Sequence, residues 1–369
     1  MSRITLTTAA ATLALAGSCL ATGPAGAADA TSPGDANRTA VRTLASGLMS
    51  PLSLAVADNG TRYVAQNFAG LLQKQIPGKP AKTIYAKPNG WEVGAVSVRD
   101  GKVRFAITKG TTALLLGIDR GRRHVVADLA RYEATRNPDR GVEYGFRNLG
   151  AECAAQLPGG MPASYQGIVE SHPYATAQGA NGVTYVADAA GNDILSVGPN
   201  GKVRTVAVLP SVPLKVSAQF AESAELPACT VGQTYHFEPV PTDVEVGPNG
   251  MLYVSTLPGG PEDGSMGANA TVYRINPRTG AVGRLAGGLV SATGLAVGPR
   301  GHVLVAELFA NRISVIAPGS HTARPWAGAS MPGDIEWARG GVFGTTDVMT
   351  GMSGQPGDVP NGKVVKFRR

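Results

Sequence analysis

The run Thr293 to Pro318, TGLAVGPRGHVLVAELFANRISVIAP, alternates apolar and polar positions with a period of two, and Gly or Pro punctuates its ends. It predicts three antiparallel strands, Gly294 to Val297, Val303 to Glu307 and Ile313 to Ile316, the first two joined by a tight turn at Pro299-Arg300-Gly301. The same pattern recurs from Leu52, Val93, Pro173, Pro241 and Gly333, each time with an early glycine turn between the first two strands. The turn glycines Gly60, Gly101, Gly182, Gly250, Gly301 and Gly341 stand 41, 81, 68, 51 and 40 residues apart. A period near 40 residues with four short strands per unit is the signature of a β-propeller.

Two stretches break the rhythm, 128–170 and 210–239. In the first, Asp128 to Ala134 predicts a short helix capped by Asp128 and stopped near Asn137-Pro138. The remainder to Glu170 is rich in Gly and Pro and lacks both alternation and a turn, so the wide gap does not predict a seventh unit. The last unit supplies only three strands. Val41 to Ser46 is a spare strand whose sequence, VRTLASGL to Leu48, parallels the outer strand VGRLAGGL from Val282 to Leu289. The expected fold is all-β, a six-bladed propeller over residues 41–369. The N-terminal strand closes it, so that no blade is left open, and it carries a short helical insertion.

Composition adds compartment. Residues 1–27 have the form of a secretory signal: Arg3, an apolar run from Thr8 to Ala16, and small residues Ala25-Gly26-Ala27 at the cleavage point. Residues 28–40 are small and polar and predict a disordered lead-in. Cys19 follows Ala16-Gly17-Ser18, but Ala16 stands where a lipoprotein signal carries a branched aliphatic residue, so export without a lipid anchor is expected. No later apolar stretch is long enough to span a bilayer. Removing the leader lowers the formal charge from +7 to +6, and the basic residues are scattered. Nucleic acid is therefore not an expected partner; the chain is expected to act as a monomer. Cys153 and Cys229 lie one in each insertion and predict a disulfide tying the insertions together; two separate buried thiols are the alternative.

Motifs for nucleophilic hydrolysis, phosphate binding and structural zinc are absent from the sequence, and its five histidines are dispersed. Two aligned columns converge on the expected central channel. Near the start of the first strands stand Ser53, Gly94, Ala175, Asp243, Gly294 and Asp334; ending the second strands are Gln66, Thr108, Asp188, Thr256, Glu307 and Thr346. Oxygen-rich rings suit a hard cation such as Ca2+, with Asp188, Asp243, Glu307 and Asp334 as ligands and Glu245 and Glu336 behind them. The same acids also suit caps of strand ends and turn amides. No organic cofactor is expected. His172 and Gln66 are placed at the channel rim, where a ligand would be met, and the aligned Tyr63, Tyr185 and Tyr253 are read as packing between blades.

Tyr185-Val186-Ala187-Asp188 with Asn192-Asp193-Ile194 resembles NHL-type propeller repeats. Several segments resemble the secreted ScyD/ScyE family more closely: Ala127 to Glu133, Asn137-Pro138-Asp139, Ser171 to Ala175, and Val240 to Val244. That resemblance spans residues 41–369, helical insertion included, and implies an exported six-bladed propeller. It departs at His172, where the family pattern implies Asn. A more distant likeness to gluconolactonase-type propellers implies a channel cation polarising a lactone carbonyl. The expected function is a scaffold that binds a small molecule, glycan or extracellular protein on the face bearing the insertions and the 258–268 loop. The alternative is a calcium-dependent lactonase, hydrolase or lyase acting at the central channel.

Overall fold

The computed structural model describes residues 40–261, 266–353, 355 and 357–368, so the signal and lead-in expectations, and residues 262–265 of the 258–268 loop, lie outside the described residues. Among the described residues the strands form seven four-stranded sheets. Six are up-and-down meanders whose innermost strands are Ser53–Val56, Glu92–Arg99, Pro173–Gln178, Pro241–Val246, Ala292–Val297 and Ile335–Ala338. These innermost strands neighbour one another in that order, and the last returns to the first. This is a β-propeller ring, and we number the six sheets I to VI along the chain.

The alternation is what builds it. Residues of one parity on each strand face the preceding sheet and those of the other parity face the following one, so an apolar cluster fills every gap. Ala55, Leu72, Phe105 and Ile107 lie between I and II; Leu115, Val186 and Leu195 between II and III. Val244, Leu252 and Ile194 lie between III and IV; Val272, Leu295 and Val305 between IV and V; Ile313, Ile335 and Phe367 between V and VI. Tyr63, Tyr185 and Tyr253 belong to these gaps as expected. In the last gap Leu48, Leu54, Val64, Phe343 and Val364 join VI to I. Leu48 comes from Ala40–Leu48, which pairs antiparallel with Gly362–Arg368 and supplies the outer strand of sheet VI.

Tight turns join the first two strands of each meander. The glycines at 60, 101, 182, 250 and 301 take positive φ there, a conformation side chains resist. In sheet VI that role falls to Gly340 rather than Gly341, which already begins the strand Gly341–Thr346. The first strand starts on the opposite face from these turns, so we call the two ends of the ring the turn face and the insertion face.

The seventh sheet is not a meander. Its order is Ser164–Gln166, Glu143–Gly145, Thr234–Phe237, Val212–Lys215, so each insertion contributes two strands. Helix α1, Leu129–Arg136, is capped as predicted by Asp128, whose side chain accepts from Arg131 N. Helix α2, Ala151–Ala154, carries Cys153, and α3, Ala218–Ser223, starts at Ser217, whose Oγ accepts from Phe220 N at 3.0 Å. Cys153 and Cys229 form a disulfide with Cα atoms 5.9 Å apart. Disulfides persist in oxidising compartments. The strands within 141–170 correct the expectation of a strandless stretch; at three residues each they are too short to show alternation. Among the described residues no helix is long and apolar enough to cross a membrane.

Candidate functional site

The side chains of the two predicted columns have distinct mechanical roles. In the first, side chains reach across to the next sheet's innermost strand. Ser53 Oγ accepts from Val96 N at 2.8 Å, Asp243 Oδ2 from Leu295 N at 2.6 Å, and Asp334 Oδ2 from Leu54 N at 2.6 Å. The other oxygens of Asp243 and Asp334 accept from Val244 N and Ile335 N, both at 2.7 Å. Ser53 thus staples I to II, Asp243 IV to V, and Asp334 VI to I. Gly294 sits where a Cβ would come within 2.9 Å of Asp334 Oδ1, which explains glycine in that column.

The second column holds the segment leading into its own sheet. Gln66 Oε1 accepts from Met49 N at 2.8 Å, and Glu307 Oε2 from Val290 N at 2.7 Å. Glu307 is fully buried and also takes Arg312 Nε at 2.7 Å and the Ser314 hydroxyl. Asp188 takes three donors: Ser171 Oγ at 2.5 Å, His172 N at 2.6 Å and Gly191 N at 3.3 Å. Asp188 and Glu307 thus sit in different sheets, each committed to its own loop, while Asp243 and Asp334 are close enough for their charges to act on one another. Among the described residues no three His, Cys, Asp or Glu side chains stand in ready metal-ligating geometry.

The channel differs at its two ends. At the insertion face Leu52, Leu308 and Val348 pack with Phe68, Phe309 and Met349, and Leu52, Leu308, Phe309 and Met349 line a small apolar cavity of about 50 Å3 there. At the turn face a cavity of about 560 Å3 opens, with half-buried Glu245 and Glu336 in its floor and Asp58, Arg99, Asp100 and Gln178 in its walls. Desolvation deep in the channel raises both glutamates well above the usual carboxylate range, and neighbouring acids add to it: Asp243 and Asp334 act on both, and Glu245 on Glu336. Burial pushes Asp243 up to about 7 against its backbone hydrogen bonds.

His172 opens a second site that the columns did not contain. The Asp188 brace fixes its backbone, and its Nε2 lies 3.0 Å from Glu92 Oε2. Desolvation pulls the imidazole down, but the hydrogen bond and charge of Glu92, with Asp188 and Glu170 behind it, outweigh burial and favour the protonated ring. The pair lines a cavity of about 580 Å3 on the insertion face, with Thr108, Lys109, Thr111, Glu170 and Glu133 of α1 around it. Glu92 was missed because it carries no motif; it is the first residue of an innermost strand, and only the ring brings it to His172.

Glu133 is buried, and desolvation followed by Asp188 and Asp139 pushes it up to about 8. These shifts fix a sign. An acid whose folded pKa is raised holds its proton in the folded state after the unfolded chain has released it, so stability falls as pH rises from about 4 through the folded value. For Asp243 that window ends near 7 and for Glu133 near 8, and the raised His172 works in the same direction. In metal-free buffer the thermal midpoint should therefore be several degrees higher at pH 5 than at pH 8. Glu336→Gln should flatten the slope. A midpoint that climbs with pH over this range would show these acids ionised and compensated.

No protein-family model matches the sequence, and no curated protein does. Solved structures do match the fold. The PQQ-bound aldose sugar dehydrogenase from Streptomyces coelicolor is 14% identical with a TM-score of 0.53, over 90% of this chain and 99% of that one. A luciferin-regenerating enzyme is 9% identical with a TM-score of 0.54, over 90% and 95%. A catalytically inactive virginiamycin B lyase from Staphylococcus aureus with quinupristin is 16% identical with a TM-score of 0.50, over 90% and 99%. At these identities the likeness is one of fold, and all three are propeller enzymes.

Proposed function

We propose that the chain is an exported six-bladed propeller of the ScyD/ScyE type, working as a binding scaffold for a small polyhydroxylated molecule or glycan. Sheets I to VI are its blades, and the seventh sheet is an appendage set on the insertion face. The observation that carries this reading is the pair of buried His172 and half-buried Glu92 at the wall of a 580 Å3 cavity, a volume suited to a small ligand. A favoured imidazolium, the Lys109 ammonium, threonine hydroxyls and carboxylates offer both donors and acceptors, as a ring of hydroxyl groups requires. Asp188 contributes by positioning, since its hold on His172 N sets where the ring points.

Thermal-shift screening against neutral sugars, uronic acids and aldonolactones tests it. At least one class should raise the midpoint of the wild-type protein and leave His172→Ala and Glu92→Gln unmoved. A ligand that shifts wild type and both variants equally would place binding elsewhere and sink the assignment.

A second reading rests on Glu245 and Glu336 in the turn-face cavity. With Asp243 and Asp334 occupied by backbone amides, these two glutamates would hold a divalent cation there, as Lewis-acid opening of a small cyclic ester requires. Lactone turnover that disappears in Glu245→Gln and persists in His172→Ala would favour this channel reading over the first.

A further inference from the structure

Beneath α1 lies a set of buried oxygens that nothing in the fold satisfies. Leu129 packs into the gap between sheets II and III, and Glu133, one turn later on the same helix face, follows it inward at 2% exposure. Asp193 is fully buried in the third strand of sheet III and stands directly opposite Asp188 in the antiparallel register. Like charges directly opposed across a strand pair repel. Asp188 has its three donors; Asp193 has none, and the charged groups acting on it are acids, Asp188, Glu133 and Asp139.

Both carboxylate oxygens of Glu133 and of Asp193 lack hydrogen-bond partners, as do Asp139 Oδ1 and the neutral amide oxygen Asn192 Oδ1. Asn192 and Asp139 belong to the same cluster, because Asn192 Nδ2 donates to Asp139 Oδ2 at 3.1 Å. Burial of a carboxylate without donors or a counter-charge is strongly unfavourable. Protonation would remove charge from the acids, but a hard cation can engage the carboxylates and the neutral amide oxygen together. Calcium takes six to eight oxygens, from carboxylates and carboxamides alike. Glu133 also lines the 580 Å3 cavity, which gives an ion a route from solvent.

We propose that Glu133, Asp139, Asn192 and Asp193 form a calcium site that pins α1 to sheet III. The site is separate from the channel acids and stands whether or not the cavity binds a glycan. The three acids do not stand in ready metal-ligating geometry, so binding requires Glu133, with three rotatable side-chain bonds, to swing in and complete the shell.

Tyr144 provides a built-in reporter, since its hydroxyl donates to Asp139 Oδ2 at 3.0 Å, close enough for its ring to sensitise a bound terbium ion. The full chain, stripped with EDTA and dialysed, is titrated with Ca2+ and separately with Tb3+. The expected result is one ion bound, a midpoint raised by several degrees with Ca2+, and terbium emission excited through tyrosine. Tyr144→Phe should lose most of that emission while keeping the Ca2+ shift. Asp193→Asn and Glu133→Gln should each weaken Ca2+ binding tenfold or more, and Glu245→Gln with Glu336→Gln should leave the terbium emission excited through Tyr144 unchanged. Absence of bound Ca2+ in the wild-type protein at millimolar concentration overturns the proposal without any variant. So does binding that survives Asp193→Asn and Glu133→Gln but disappears with the channel glutamates.

Discussion

A chain starting at Met49 should be grossly less stable than one starting at Ala40, with its thermal midpoint lowered by well over ten degrees or with no soluble folded protein at all. The nine residues removed form the outer strand of sheet VI, paired along Gly362–Arg368. Leu48 is 6% exposed among Leu54, Val64, Phe343 and Val364, and Leu44 and Ala45 pack against the same cluster. Full burial of a leucine contributes about 2 kcal/mol, and each net strand hydrogen bond about 1 kcal/mol. The loss is then on the order of 5 kcal/mol, against a typical domain stability of about 5 to 15 kcal/mol. It also leaves Gly362–Arg368 as an open edge, a template for pairing between chains. Denaturation curves and size-exclusion profiles of the two chains check this, and adding the peptide Ala40 to Leu48 in trans should restore part of the midpoint. Matching midpoints would mean that sheet VI closes without its outer strand.

That closure was legible in the sequence because it rests on local pattern. VRTLASGL repeats the outer-strand pattern of VGRLAGGL, and period-two alternation sets which side chains enter each gap. The helix at α1 was legible for the same reason, since Asp128 caps it and Asn137 ends it through local backbone geometry. The two acid columns were also legible as columns. Their work was not, because whether an aspartate faces an ion or an amide depends on where the neighbouring strand places its N–H. Asp334 and Leu54 lie 280 residues apart, and only ring closure brings them to 2.6 Å. The cluster under α1 was hidden in another way. Asp193 reads along the chain as the polar start of a strand, and Glu133 as an ordinary helix residue. Their meaning comes from burial at a junction between an insertion and a blade, which no periodic pattern encodes. The seventh sheet was invisible for a related reason: strands of three and four residues, which meet across the insertions about 90 residues apart at Gly145 and His236, have no shared repeat to betray them.

Removing the disulfide should split the unfolding of this protein in two. Cys153 and Cys229 close a loop of 76 residues, and the loop contains all of sheet III as well as parts of both insertions. Loop-closure entropy for that length corresponds to about 4 kcal/mol of stabilisation in the chain-entropy model. Sheet III is held on both sides by apolar gaps shared with II and IV, so the ring can stand without the bond. The seventh sheet has no such support. Its strands are three or four residues long, its two halves meet at the single pair Gly145–His236, and its own core is a small cluster around Phe146, Val216 and Ala221. The cost of cutting the cross-link therefore concentrates there. In calorimetry, Cys153→Ser with Cys229→Ser should show a new low-temperature transition ahead of the ring's own, and limited proteolysis below that ring transition should cut within 146–163 or 216–233. Tyr144 and Tyr165, which reach from this sheet to Asp139 and Glu238, would lose their anchors. Loosening the sheet should then weaken Ca2+ binding at the α1 cluster while leaving the turn-face cavity intact. A thermogram that superposes on that of the wild-type protein would show that the appendage is held by the ring itself, and that the cross-link adds nothing the packing does not already supply.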